Sequence, residues 1–248
     1  MKRSLLVLLA GVALVASACG GTQKRAQAPR TPTTVETMTL RAYFLLNGQV
    51  RPVGREVPKT DAVAAAALHL LAGLTSQERD LGLESAIPAG TTFTRLDVKD
   101  GVASLSVAPA LPKPALAQVV YTLTQFPTVR AVELGGKRLT RADFEEETPP
   151  ILVESPLPYD SVTSPLRAQG TANTFEATFE YDLKDPDGKL VSHHFETATS
   201  GSGTRGTFDF AVPFTVARKG LGHLIVYEIS AADGSRIHEV EIPIQLGS

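Results

Sequence analysis

The chain is predicted to fold as an α+β domain followed by an all-β sandwich, and three observations carry that prediction. Across residues 37–146, strand-like runs are interleaved with two stretches whose apolar residues recur at helical spacing. Beyond residue 150 the helical spacing stops, and short alternating runs succeed one another with turn residues between them. Separating the two regions is Glu145-Glu146-Glu147-Thr148-Pro149-Pro150, a charge run into a proline pair, which reads as a stiff, solvated hinge.

The elements of residues 37–146 follow in order. Leu40 to Leu46 is a strand, Asn47-Gly48 a turn, and Val50 to Val57 the returning strand. Thr60 and Asp61 offer an N-cap for a helix carrying Val63, Ala67, Leu70, Leu71 and Leu74 on one face. His69 lies about 200° around the wheel from Ala67 at 100° per residue, so it is expected on the surface. Thr75 and Glu78 have capping-box spacing and open a short second helix. Thr92 to Val98 and Val102 to Val107 flank Asp100-Gly101 as a hairpin. Pro114 sits in the first turn of a helix with Leu116, Val119, Val120, Leu123 and Phe126, which Pro127 stops. Val129 to Leu134 and the turn Gly135-Gly136 complete an arrangement in which each helix buries one stripe against a small sheet.

Residues 150–247 give about seven short strands, the pattern of an immunoglobulin-like sandwich without its disulfide or tryptophan. Ile151–Glu154, Leu166–Gly170, Phe175–Tyr181, Leu190–Thr197, Phe208–Phe214, Leu224–Ile229 and Val240–Leu246 are the runs.

Ahead of both domains, Lys2 and Arg3 precede an apolar run, Leu5 to Val15, and then Ala16, Ser17, Ala18 and the single cysteine, Cys19. The run is too short for a comfortable membrane span and reads as a cleaved signal. An unpaired cysteine in an exported chain needs another use, and this one resembles the lipidated cysteine of a bacterial lipobox. The resemblance implies residues 1–18 as a lipoprotein signal peptide and acyl chains (diacylglyceryl and palmitate type) on Cys19. A disordered linker, rich in Gly, Gln, Ala, Pro and Thr, then covers residues 19–36.

Composition narrows the function classes. With a net charge of −2 and no basic stripe, no case exists for nucleic acid. Trp is absent and aromatics are 6%, which argues against a sugar-stacking platform. Gly201-Ser202-Gly203-Thr204-Arg205-Gly206 spells a dinucleotide motif but precedes a strand where a helix is needed. Asp185, Asp187 and Gly188 hint at a calcium loop, yet Leu183 occupies the position where that loop requires a carboxylate. His193 and His194 point to opposite faces of a strand, and His223 and His238 lack ligand spacing. No metal, cofactor or catalytic residue is therefore expected.

Two family resemblances add to this reading. "YFLLNGQVRPVGREVP", "ALHLLAGLTSQERDLGLESAIPAGT", "VKDGVASLSV" and "LAQVVYTLTQFPTVRAVEL" resemble the GerM N-terminal (GerMN) domain of sporulation and spore-germination proteins. That family's fold is similar to ring-building motifs, which pack side by side in envelope assemblies. Leu74 and Ser104-Leu105-Ser106 depart from the family pattern, where proline and an aspartate are common. "SPLPYDSVTSPLRAQGTANTFEATFEYDL", "TATSGSGTRGTFDFAVPF" and "GHLIVYEISAADGSRIHEVEIPIQL" resemble the immunoglobulin-like domain of bacterial spore-germination proteins. The resemblances imply a GerMN domain at 37–146, an immunoglobulin-like domain at 150–247 and no catalytic residues. The expected function is a non-enzymatic, extracytoplasmic lipoprotein anchored in the cell membrane through Cys19, with envelope proteins or its own copies as partners. Peptidoglycan recognition is the alternative, and a cell-wall hydrolase the third reading.

Overall fold

The structure, a computed structural model, describes residues 35–247. Cys19, the leader and most of the 19–36 linker lie outside the described residues, so their predicted roles have no structural counterpart here. Among the described residues strands predominate, and the three α-helices fall before residue 124.

Strands β1 (Thr37–Leu46) and β2 (Gln49–Pro58) form an antiparallel hairpin, closed by Asn47 and Gly48 at φ of 53° and 79°. Two successive left-handed residues match the right-handed twist of the strands, and Asn-Gly accepts them at little cost. Helix α1 (Val63–Leu70) starts one residue later than predicted: Ala62 is its N-cap and supplies no side-chain cap. The Thr60 hydroxyl instead accepts a hydrogen bond from the Ala62 amide (3.1 Å), a turn that ends before the helix begins. Helix α2 (Ser76–Asp80) has its capping box, with the Thr75 side chain and the Glu78 carboxylate satisfying each other's backbone amides.

Strands β3 (Thr92–Lys99) and β4 (Val102–Ala108) turn at Asp100-Gly101, again with both φ positive. Helix α3 (Lys113–Leu123) then crosses to β5 (Ala131–Leu134), which runs parallel to β4. Past Gly135-Gly136 a further strand, β6 (Lys137–Leu139), pairs with β5, where the sequence suggested only a closing turn. The four strands lie in the order β3-β4-β5-β6, while the β1–β2 hairpin is a separate sheet.

Helix α3 does not bury a single stripe as expected; every residue from Ala117 to Leu123 is buried. The reason is the outer edge of β1, which among the described residues has no partner strand beyond the Leu45–Glu84 bridge. Gln118, Thr122 and Gln125, at i, i+4 and i+7, meet that edge with side chains instead of a strand. Gln125 accepts from the Arg41 amide (2.9 Å) and donates to the Arg41 carbonyl (2.7 Å). The Thr122 hydroxyl accepts from the Tyr43 amide (3.2 Å), and Gln118 donates to the Tyr43 carbonyl (3.0 Å). A helix thereby closes a strand edge that would otherwise bury unsatisfied backbone.

The second half begins with β7 (Ile151–Ser155), β8 (Ser161–Val162) and β9 (Leu166–Ala172). It continues through β10 (Thr178–Lys184), β11 (Leu190–Thr197), β12 (Gly206–Val212), β13 (Gly220–Ile229) and β14 (Arg236–Leu246). A five-stranded sheet, β11-β10-β13-β14-β8, packs on a three-stranded one, β12-β9-β7. Between them Tyr181 stacks on Phe210 (5.1 Å between centroids) and Phe179 tilts against Phe208 (4.9 Å). These rings come from alternate positions of strands in opposing sheets, as a sandwich core requires. Phe175 is the exception to the predicted alternation. It lies in a 3-10 turn before β10 and is 56% exposed.

The hinge predicted at 145–150 is a packed seam. Thr148 is 2% exposed, and its hydroxyl joins the Tyr121 hydroxyl (2.6 Å) and the Phe144 carbonyl (2.7 Å). Glu145 is held by Arg205 (2.9 Å), and Lys113 reaches both Glu146 (2.8 Å) and Glu147 (3.1 Å). Charges that look solvated in sequence are paired by residues 33 to 60 positions away. Beyond the seam, the Glu154 carboxylate on β7 accepts from the Tyr43 hydroxyl on β1 and from Arg141 (2.9 Å).

Candidate binding surfaces

A groove of about 690 Å³ lies between α1 and the β3–β4 hairpin. Local structure explains why it stays open. Helix α1 is eight residues long and gives way to Ala72-Gly73, so it stops short of covering the sheet. Strand β3 is an edge strand whose side chains are mostly exposed, with only Phe93 and Leu96 half-buried. Leu68, Leu71, Ile87, Phe93, Leu96 and Leu105 form the apolar walls, and Thr92 and Thr94 contribute hydroxyls. No Asp, Glu, Lys or Arg lines it; His69, exposed as predicted, is its one titratable residue. An uncharged groove of this size suits apolar side chains better than ions or phosphates.

Pairing a foreign strand onto β3 is disfavoured. Arg95 sits at φ 51° where the β3–β4 register slips, and Arg95, Asp97 and Lys99 are exposed along the strand. A bulge and charges on an edge are devices that prevent strand addition. Recognition here falls to side chains entering the groove.

A second polar constellation lies on the outer face of the five-stranded sheet. Asp182, 4% exposed, accepts from Arg236 (2.8 Å), His193 (2.9 Å) and the Tyr227 hydroxyl (3.2 Å). Burial works to raise the Asp182 pKa, but the Arg236 and His193 hydrogen bonds outweigh it and hold the carboxyl below its ordinary range. The Tyr227 hydroxyl is pushed up by burial and by the Glu180 and Asp182 carboxylates. Arg236 also lies over the Tyr227 ring at 3.8 Å. Every member is engaged, so the cluster ties four strands together and leaves no free acid or base. It was not legible in sequence, because its members come from residues 182, 193, 227 and 236.

The motifs set aside in sequence have structural uses. A Cβ on Gly201 would stand 2.4 Å from the Ala177 amide nitrogen, and one on Gly206 would stand 2.3 Å from that of Ser200. Gly206 permits a tight loop between β11 and β12, and Gly201 lets that loop lie against the backbone of Thr174 and Ala177. The Asp185 carboxylate accepts from the Asp187 and Lys189 amides (2.9 Å each), and Asp187 pairs with Arg218. His223 lies 2.7 Å from Glu241 and His238 2.8 Å from Glu228. Among the described residues no three His, Cys, Asp or Glu side chains gather as a metal site.

Comparison with known proteins gives two family matches. Residues 41–139 match the family described as sporulation and spore germination, and residues 150–235 match the immunoglobulin-like domain of bacterial spore germination. No curated protein matches the chain. Among solved structures, the tandem GerMN domains of the sporulation protein GerM from Bacillus subtilis are 19% identical. That match has a TM-score of 0.37 and covers 72% of this chain and 62% of the other. The chain therefore spans less than two thirds of that structure. CopC from Methylosinus trichosporium OB3b matches at 17% identity and TM-score 0.28, over 39% of this chain and 92% of the other. A putative lipoprotein from Clostridium perfringens matches at 14% and 0.27, over 44% and 89%. The two matches stand in this order along the chain, a sporulation and spore-germination domain at 41–139 followed by an immunoglobulin-like domain of bacterial spore germination at 150–235.

Proposed function

We propose that this protein is a lipid-anchored component of the bacterial cell envelope that works by binding protein partners, not by catalysis. Cys19 is the anchor, the bilayer its first partner, and the extracytoplasmic face its location. The module at residues 37–146 serves as a GerMN-type assembly unit of the ring-building kind. The observation that carries the reading is the uncharged groove between α1 and β3, whose walls accept apolar side chains of an envelope protein or of a second copy. Tethering confines the chain to two dimensions, where a weak groove contact gains effective concentration.

The test has two arms. Wild-type protein is expected in the membrane fraction and Cys19→Ala in the soluble fraction, with both folded. Cross-linking on intact cells is expected to recover a partner or a dimer. Thr94→Arg, at an exposed groove position, is expected to cut that recovery about tenfold, equivalent to roughly 1.4 kcal/mol. Cys19→Ala remaining in the membrane pellet refutes the anchor. Unchanged recovery with Thr94→Arg refutes the groove.

A further inference from the structure

Among the described residues, one largely buried guanidinium has no salt-bridge partner. Arg55 is paired with Glu78, Arg141 with Glu154 and Arg205 with Glu145. Arg51, on β2 opposite Phe44, is the exception: its Nε and Nη1 are buried and have no hydrogen-bond partner among the described residues. Burial alone lowers its pKa to about 10, which leaves it charged at neutral pH. Two guanidinium N–H groups taken out of water with no acceptor are costly, even where the rest of the side chain is only partly buried.

Arg51 lines a pocket of about 50 Å³ at the seam between the two halves. Leu46, Val53 and Leu83 wall it from one side, and Pro156, Pro158 and Ile242 from the other. Glu241 also lines it, with its side chain 55% exposed and its carboxylate 2.7 Å from His223. One water needs roughly 10–15 Å³ on the same measure, so the space has room for a group of a few heavy atoms, such as a carboxylate on a short stem. The two unpartnered Arg51 N–H groups match the oxygens of a carboxylate, and aliphatic and proline walls match a short hydrocarbon stem.

We propose that Arg51 is the recognition group of a small-carboxylate site at the seam, taking a monocarboxylate on a short apolar stem such as an alanine chain terminus. Because its walls come from both halves, an occupant would hold them together. The inference stands apart from the groove and from the anchor.

The experiment uses the full-length protein in detergent, in buffer free of small carboxylates. Acetate, propionate and N-acetyl-alanine are the probes; propionamide, chloride and phosphate at matched ionic strength are the controls. Saturable stabilisation by the carboxylates is expected in thermal melts, with a dissociation constant on the order of 1–10 mM, and no comparable response to the controls. Arg51→Leu is expected to lose that response while melting no lower than wild type in carboxylate-free buffer, because it removes an unpaired buried charge. The Arg51 Nε–H resonance of the wild-type protein is expected to shift on propionate titration, a readout that needs no variant. An unmoved resonance up to about 100 mM propionate overturns the proposal. So does equal stabilisation by chloride, or an Arg51→Leu protein that still responds to carboxylate.

Discussion

Replacing Arg205 with alanine tests whether the seam acts as a structural joint. The guanidinium donates to Glu145 through Nε and Nη2 (2.9 Å each), to the Pro149 carbonyl (2.9 Å) and to the Thr171 hydroxyl (3.3 Å). Its side chain is 15% exposed and that of Glu145 43%, so solvent screens the ion pair, which is worth about 1 kcal/mol. The Pro149 carbonyl then loses its donor, adding about 1–3 kcal/mol. A total near 3 kcal/mol corresponds to a fall in Tm of about 6–12 °C for a unit of this size. Differential scanning calorimetry is the assay, and a single transition is expected for the wild type because the halves share buried contacts. Arg205→Lys should recover at most half the loss, since an ammonium cannot span a carboxylate and a carbonyl as a planar fork does. A Tm within about 2 °C of wild type, or two separate wild-type transitions, would refute the reasoning.

Two further perturbations probe other parts of the molecule. Asp182 has a folded pKa below its ordinary value of 3.8, so its stabilising contribution is present in full above that value and is lost as pH falls through the folded pKa. Thermal melts from about pH 6 to pH 2 should show this loss, and Asp182→Asn should flatten that limb while lowering stability at neutral pH by about 2–3 kcal/mol. Gly201→Ala brings a methyl group to within 2.4 Å of backbone; about 2–4 kcal/mol should be lost in urea unfolding, with no change in nucleotide binding by filter assay.

Turns and strands were the most legible parts of this fold. Asn47-Gly48 and Asp100-Gly101 announce hairpins because only residues tolerant of positive φ close them well. Thr75 and Glu78 announce a helix start because their spacing is the geometry of reciprocal capping. Phe179, Phe208 and Phe210 alternate because a sandwich core needs them to. What escaped depends on distant partners. Gln118, Thr122 and Gln125 look like the wet face of an amphipathic helix, and only the neighbouring β1 edge reveals them as buried substitutes for a strand. Of the triple glutamate, Glu146 is solvated as it looks, while Glu145 and Glu147 are drawn in by Arg205 and Lys113 from elsewhere in the chain. The groove reflects how far α1 fails to reach, and helix length is set by packing as much as by local sequence.

The seam bears on where the gene can be divided. Leu152 packs in the core of the first half, and Phe144 and Thr148 lie beneath α3. Cutting at Leu139, where the first family match ends, would strip away Phe144, Thr148 and Leu152 together with the Glu154 acceptor of the Tyr43 hydroxyl. Such a fragment would expose apolar surface and strand a buried phenol, inviting aggregation for reasons unrelated to its native behaviour. During synthesis the same dependence delays completion of the N-terminal core until strand β7 has emerged. The first folding unit of this chain is therefore longer than its family boundary.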